Sequence, residues 1–117
     1  MYLEDLREYC LSKKGVEEGL PFGEDILVFK VLNKIFALTS IASGDRVNLK
    51  CDPDYALELR EQFMEIQPGF HMNKKHWNTV ILNGSLDERL VLKLVDHSYE
   101  LVAKSLPKKD QILLASL

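Results

Sequence analysis

The stretch Ile26-Leu27-Val28-Phe29-Lys30-Val31-Leu32-Asn33-Lys34-Ile35-Phe36-Ala37-Leu38-Thr39-Ser40-Ile41 decides the fold. Two runs rich in β-branched and aromatic residues, Ile26 to Val31 and Lys34 to Ile41, are separated by Leu32-Asn33 alone. So short a connection predicts a tight antiparallel hairpin, with Asn33 the residue most tolerant of positive φ. Ser43-Gly44-Asp45 then turns the chain into a third run, Arg46 to Cys51. There Val47, Leu49 and Cys51 face one way and Arg46, Asn48 and Lys50 the other, the period of a half-buried strand. One face of this three-stranded meander needs a cover.

The flanking segments have the period of helices that could supply it. Leu3, Leu6 and Cys10 recur at helical spacing before Gly15, which offers a C-terminal stop. Gly19-Leu20-Pro21-Phe22-Gly23 punctuates the chain before the hairpin. Asp52-Pro53 opens a second helix with Ala56, Leu59 and Phe63 as its buried stripe, ending before Gln67-Pro68-Gly69. After an irregular segment, Phe70 to His76, a fourth strand runs from Trp77 to Leu82 and closes at Asn83-Gly84. Ser85 and Glu88 have capping-box spacing, Ser85 capping and Glu88 reaching back. The long helix they open carries Leu90, Val91, Leu94, Val95, Ser98, Leu101 and Val102 on one side and stops near Pro107. The apolar tail, Ile112 to Leu117, is expected to dock rather than fray. The order is αβββαβα, an α+β two-layer domain over residues 1–117 with a mainly antiparallel sheet packed on helices.

Composition agrees with one domain. A chain of 117 residues, 46% hydrophobic and 28% charged, can build a core without metal or disulfide support. Cys10 and Cys51 form no pairing motif and read as reduced core residues. The segment MYLEDLREYC has acid where a signal peptide needs base, and no apolar run approaches the ~18 residues of a membrane span. These features predict a cytoplasmic protein with no membrane partner, with the monomer as the expected state.

The net charge of -3 excludes an avid polyanion coat, but it is unevenly spread. Residues 1–65 carry 13 acidic and 8 basic side chains, whereas residues 66–117 carry 5 and 7, so the second half is net positive. The densest polar and aromatic cluster, Gly69-Phe70-His71-Met72-Asn73-Lys74-Lys75-His76-Trp77-Asn78, lies in that half. Its lysines, asparagines and tryptophan could hold phosphates and stack on a ring. Equally, Phe70 and Trp77 could close the core above a solvated loop tip. His71 and His76 have no acid near them in sequence to complete a metal site, and Cys51 has no sign of activation. No P-loop, GxGxxG, HExxH or GxSxG occurs, so neither cofactor nor enzymatic activity is expected.

Several strings taken together resemble the bacterial MmcQ/YjbR family. They include Leu20-Pro21-Phe22, Val47-Asn48-Leu49-Lys50-Cys51-Asp52-Pro53, Ser98-Tyr99-Glu100-Leu101-Val102 and, most specific, His71-Met72-Asn73-Lys74-Lys75-His76-Trp77-Asn78-Thr79-Val80. The resemblance runs from about Tyr2 to Lys109. It implies a YjbR-like fold, related in outline to frataxin-like and secretion-chaperone-like domains, and DNA binding of the double-wing type. The function expected is a non-enzymatic module that contacts DNA weakly through the outward sheet face and the adjoining loop. Arg46, Lys50, Lys74 and Lys75 would hold phosphates, Asn48, Asn73 and Asn78 would add hydrogen bonds, and His71, His76 and Trp77 would flank the groove. Those four cations form one patch unless Glu58, Glu61 and Glu65 neutralise it. The alternatives are a protein-interaction or chaperone-like module using a sheet face or the apolar tail, and a small anionic ligand held in the His71 to Trp77 loop.

Overall fold

The computed structural model describes every residue from Met1 to Leu117. Its elements run α1 (Leu3–Leu11), β1 (Val16–Gly19), β2 (Ile26–Val31), β3 (Lys34–Ser40), β4 (Arg46–Lys50), α2 (Pro53–Gln62), β5 (Ile66–Pro68), β6 (Trp77–Ile81), α3 (Glu88–Ser105) and α4 (Lys108–Ala115). The strands form one antiparallel sheet in the order β1-β2-β3-β4-β6-β5. The α+β two-layer architecture stands, and the element order gains two strands and a helix over the expected αβββαβα. The extra strands, β1 and β5, are both short edges. The predicted hairpin closes through Leu32 and Asn33, both at positive φ (42° and 77°), the pattern of a type I′ turn.

Cross-strand partners share a face, so the register sorts the sheet. Phe29, Ala37, Leu49 and Asn78 lie in one row, and Val28, Leu38, Asn48 and Thr79 in the next row on the opposite face. The first face is covered. Leu6 and Cys10 from α1, Ala56 and Leu59 from α2, and Val91, Leu94, Val95 and Val102 from α3 join Phe29, Phe36, Val47, Leu49 and Val80 in one core. The second face carries no helix.

Two sequence expectations need correction at the helix ends. The N-cap of α3 is Asp87, whose carboxylate accepts the Arg89 N–H at 2.8 Å. Ser85 does not cap, because its hydroxyl donates to Glu65 and Asn83, both at 2.6 Å, and so ties the β6–α3 loop down. The tail winds into α4, which buries no residue fully; Leu114 packs against the core beside Gly15, while Ile112, Leu113 and Leu117 remain exposed. Asp52 caps α2 as predicted, accepting from the Tyr55 N–H at 3.2 Å. No helix is long and apolar enough to cross a membrane.

A single hydroxyl joins α3 to the sheet. The β2–β3 ladder slips between Phe29 and Lys30, leaving Phe36 as the extra residue of a bulge, and the β3–β4 pairing runs only over Ala37↔Leu49 and Leu38↔Asn48. Ser98, fully buried, fills the resulting gap by donating to the Phe36 carbonyl at 2.5 Å and accepting the Lys50 N–H at 2.9 Å. Ser98→Ala leaves both backbone groups unpaired in the core, and the expected cost is about 1–3 kcal/mol. Urea unfolding followed by circular dichroism measures it, and an unchanged midpoint would refute the assignment.

Next to Ser98, the His97 imidazole accepts the Asp52 N–H through Nε2 at 3.1 Å and meets the Tyr55 ring edge-on. Burial lowers the His97 pKa from 6.5, outweighing the opposite pull of Asp52 and Glu100, so the folded state favours the neutral acceptor. The unfolded chain therefore binds the proton first. Stability present at neutral pH is lost as the pH falls through the unfolded value of 6.5 toward the lower folded one. His97→Gln, which keeps an acceptor but does not titrate, should lose less of its urea midpoint than the parent on acidification across that range. Identical losses would show that His97 does not contribute.

Candidate functional site

The uncovered sheet face holds a groove of about 570 Å³. Its floor is made by Ile26 of β2, Ile35 and Leu38 of β3, and Arg46 and Asn48 of β4, with Ser40 and Ser43 toward the β3–β4 turn. One wall is Phe22, from the loop before β2, and the other is Phe70, His71 and Met72, from the loop between β5 and β6. Both phenyl rings are exposed, Phe22 at 66% and Phe70 at 58%. The walls exist because the floor strands are apolar at both parities: Leu27 and Phe29 point to the helices while Ile26, Leu38 and Ile35 point away.

A ring of three hydrogen bonds fixes the second wall. The Phe70 N–H donates to Thr79 Oγ1 at 2.9 Å, the Thr79 hydroxyl donates to Asn48 Oδ1 at 2.5 Å, and Asn48 Nδ2 donates to the Phe70 carbonyl at 3.2 Å. Gly69 allows the approach, since a Cβ there would lie 2.7 Å from the Trp77 Cβ. Lys74 closes the loop by donating from Nζ to the Gly69 carbonyl at 3.1 Å. His71 adopts a left-handed φ of 59°, and its ring meets Phe70 at a tilt of 51° with centroids 4.1 Å apart. From the helix side, Arg60 of α2 reaches the Lys74 and Trp77 carbonyls and Asn78 Oδ1, anchoring both ends of the loop tip.

The structure divides the ten residues singled out from the sequence. Arg46, Asn48 and His71 line the groove. Lys50 and Trp77 are register partners on the same open face, Lys75 stands exposed at the loop tip, and His76 is half-buried with its carbonyl taking the Cys51 N–H. Asn78 is a correction. It shares the helix-facing row with Leu49, is 2% exposed, accepts from Arg60 Nε through Oδ1 at 2.7 Å and donates from Nδ2 to the Ala56 carbonyl at 3.4 Å, so it has nothing left for a ligand. Asn73 accepts the Lys75 N–H through Oδ1 at 2.9 Å inside the loop and keeps its Nδ2 exposed. Phe22, Ile26, Ile35, Leu38 and Met72 were not anticipated. The signal that could have found them is the double-sided apolar pattern of β2 and β3, and a phenylalanine set between Pro21 and Gly23 in a turn.

Charge within the groove is answered, while Lys50 and Lys75 on the same side of the sheet form no ion pair. The Arg46 guanidinium forks onto Asp45 at 3.1 and 3.3 Å, which holds the Asp45 carboxyl below its ordinary range. The acid that neutralises Arg46 is therefore its neighbour, not Glu58, Glu61 or Glu65. Near the rim, Asp25 accepts from Ser40 Oγ and the Ala42 N–H, both at 2.7 Å, which also keeps its pKa low. The thiols lie elsewhere: burial pushes Cys10 up to about 12 and Cys51 up to about 11, so both are held as unreactive thiols at neutral pH. No three His, Cys, Asp or Glu side chains are gathered closely enough to hold a metal ion.

Comparison with known proteins places this arrangement in a family. The YjbR family model matches residues 11–101. The protein YjbR of Escherichia coli K12 is 35% identical over 118 aligned residues, covering all of both chains. YbdF of Escherichia coli O157:H7 is 39% identical over 109 residues, spanning 92% of this chain and 89% of its own. Among solved structures, the crystal structure of Deinococcus radiodurans protein DR2400 superposes with a TM-score of 0.90 at 40% identity, over 97% of this chain and 88% of that one. With full-length sequence relatives and a matching fold in hand, the chain belongs to the YjbR family.

Proposed function

We propose that this chain is a binding module rather than an enzyme, and that it receives its partner on the uncovered sheet face. The groove between Phe22 and the Phe70–Met72 segment carries the reading. Its lining contains no carboxylate and no thiol, its one permanent cation is already engaged, and its one imidazole, His71, has no carboxylate in the lining to orient it, so it offers surface and shape rather than an assembled catalytic group. A rigid wall held by the Asn48–Thr79–Phe70 ring is what a binding site needs, because ordering costs are met before the ligand arrives.

Nucleic acid is the second reading, favoured by one observation: Lys74 and Lys75 sit on the same loop as Phe70 and His71, with Lys50 beside Trp77 on the sheet. Such a face suits a single strand, whose bases can stack on exposed rings while phosphates follow the lysines. It suits a duplex less, because a walled groove lets only loop tips touch the outer backbone. Arg46, Asn48 and Asn78 are occupied within the protein and leave few phosphate contacts, so any affinity should be weak and strongly salt-dependent.

Two measurements check these readings. Amide chemical-shift mapping against a mixed fragment library should concentrate its responses on the groove residues, and a response centred on α4 instead would overturn the site. Fluorescence anisotropy at low salt should show single strands bound more tightly than duplex, with Lys74→Ala/Lys75→Ala reducing the log–log salt slope by about 1.4. No binding at roughly 50 μM protein, weaker than a Kd of this order, would remove nucleic acid as the partner.

A further inference from the structure

We propose that the groove is the site of a small, uncharged organic molecule with a flat or elongated apolar body and one hydrogen-bonding end. The inference rests on the open face being the binding site and adds the class of ligand.

Size is the first argument. About 570 Å³ falls within the roughly 300–1,000 Å³ typical of small-molecule sites. It admits a ring system but not a whole helix, whose diameter with side chains is about 10–12 Å. The backbone is the second. β2, β3 and β4 are interior strands, their main-chain groups turned to one another in the sheet. An extended peptide laid across the floor would leave its own N–H and C=O groups facing Ile26, Ile35 and Leu38 without partners.

Charge is the third argument, and it selects the ligand. Arg46 is the only lining side chain with a permanent charge, and it is forked onto Asp45. An anion entering the groove would lose water and find no free counter-charge, and a cation would meet no carboxylate in the lining. A neutral body between Phe22 and Phe70 loses no charge solvation. It displaces water from two exposed rings, while the flexible Met72 adjusts to its outline. Asn48, Thr39 and Ser40 are engaged within the protein, and apart from His71 in the wall the polar groups left lie at the turn end, Ser43 and the outer edge of Arg46, where they would meet a hydroxyl or carbonyl on the ligand. The molecule therefore sits with its apolar body along the floor and its polar end toward the β3–β4 turn.

The test uses N-phenylnaphthylamine, a neutral apolar dye whose emission rises out of water, and its anionic relative anilinonaphthalene sulfonate. The intact chain should bind one equivalent of the neutral dye with a Kd on the order of 10 μM, little affected by salt. Phe22→Ser/Phe70→Ser, two changes at exposed positions, should weaken this at least about tenfold, and Lys75→Ala, at the exposed loop tip, should not. Three results overturn the proposal: no saturation below about 100 μM dye, tighter binding of the anionic dye, or indifference to the phenylalanine changes. Amide shift mapping separates the levels of failure. If a short single-stranded oligonucleotide moves the groove amides and the neutral dye does not, the ligand class falls and the site stands. If the dye binds but moves amides outside the groove, the site itself falls.

Discussion

The buried hydroxyl of Ser98 is the contact on which the rest of the arrangement depends. It bridges the Phe36 carbonyl and the Lys50 N–H at the point where β3 and β4 cease to pair, so a helix side chain completes the sheet. Without such a bridge the bulge at Phe36 would leave two polar backbone groups unpaired, at a joint cost of about 1–3 kcal/mol. With it, α3 is fixed in position over the sheet, and the sheet's two faces acquire different fates. One is sealed by α1, α2 and α3; the other stays open because no helix, α4 included, contributes to its lining. The groove follows from that asymmetry.

What the sequence made legible was whatever depends on local pattern. The two-residue gap at Leu32-Asn33 set the hairpin, alternation set β4, Asp52-Pro53 set the start of α2, and the apolar stripe from Leu90 to Val102 set α3. What it hid depends on partners distant in sequence. β1 has two glutamates and a glycine in four residues and is a strand only because β2 offers it a free edge. β5 is three residues long, ends in proline, and buries only Ile66. At the start of α3, two capping residues competed at adjacent turns. Asp87 took the cap because Glu65, far away in sequence, gave the Ser85 hydroxyl a better partner.

The site divides along the same line. Residue type marked the loop from Phe70 to Trp77 as unusual, and the loop does form one wall of the groove. Type could not say which polar groups were free. Asn78 and Asn48 look alike in the sequence, yet one is locked beneath α2 by Arg60 and the other holds the Phe70 wall, and both amides are spent on the fold. Arg46 counted as a phosphate contact until its neighbour Asp45 was seen to take the guanidinium. Counting side chains that could bind overestimates those that can, because a buried or half-buried polar group must find a partner inside the protein first.

The same accounting explains why an acidic chain can hold an electrically quiet groove on a face that also carries Lys50. Around the groove, Asp45 answers Arg46, and Asp25 spends both its oxygens on Ser40 and Ala42. Asp45 and Arg46 offset one another, whereas Asp25, bonded only to neutral donors, stays ionised at the rim and disfavours an anion. Elsewhere the remaining charges act as structural pins: Lys13 and Tyr9 both close on Asp96 to hold α1 against α3, and Arg7 forks onto Glu18 to hold α1 against β1. A total of -3 thus says little about the groove. There, what distinguishes one ligand from another is apolar area and ring shape, and affinity should depend on Phe22 and Phe70 far more than on ionic strength.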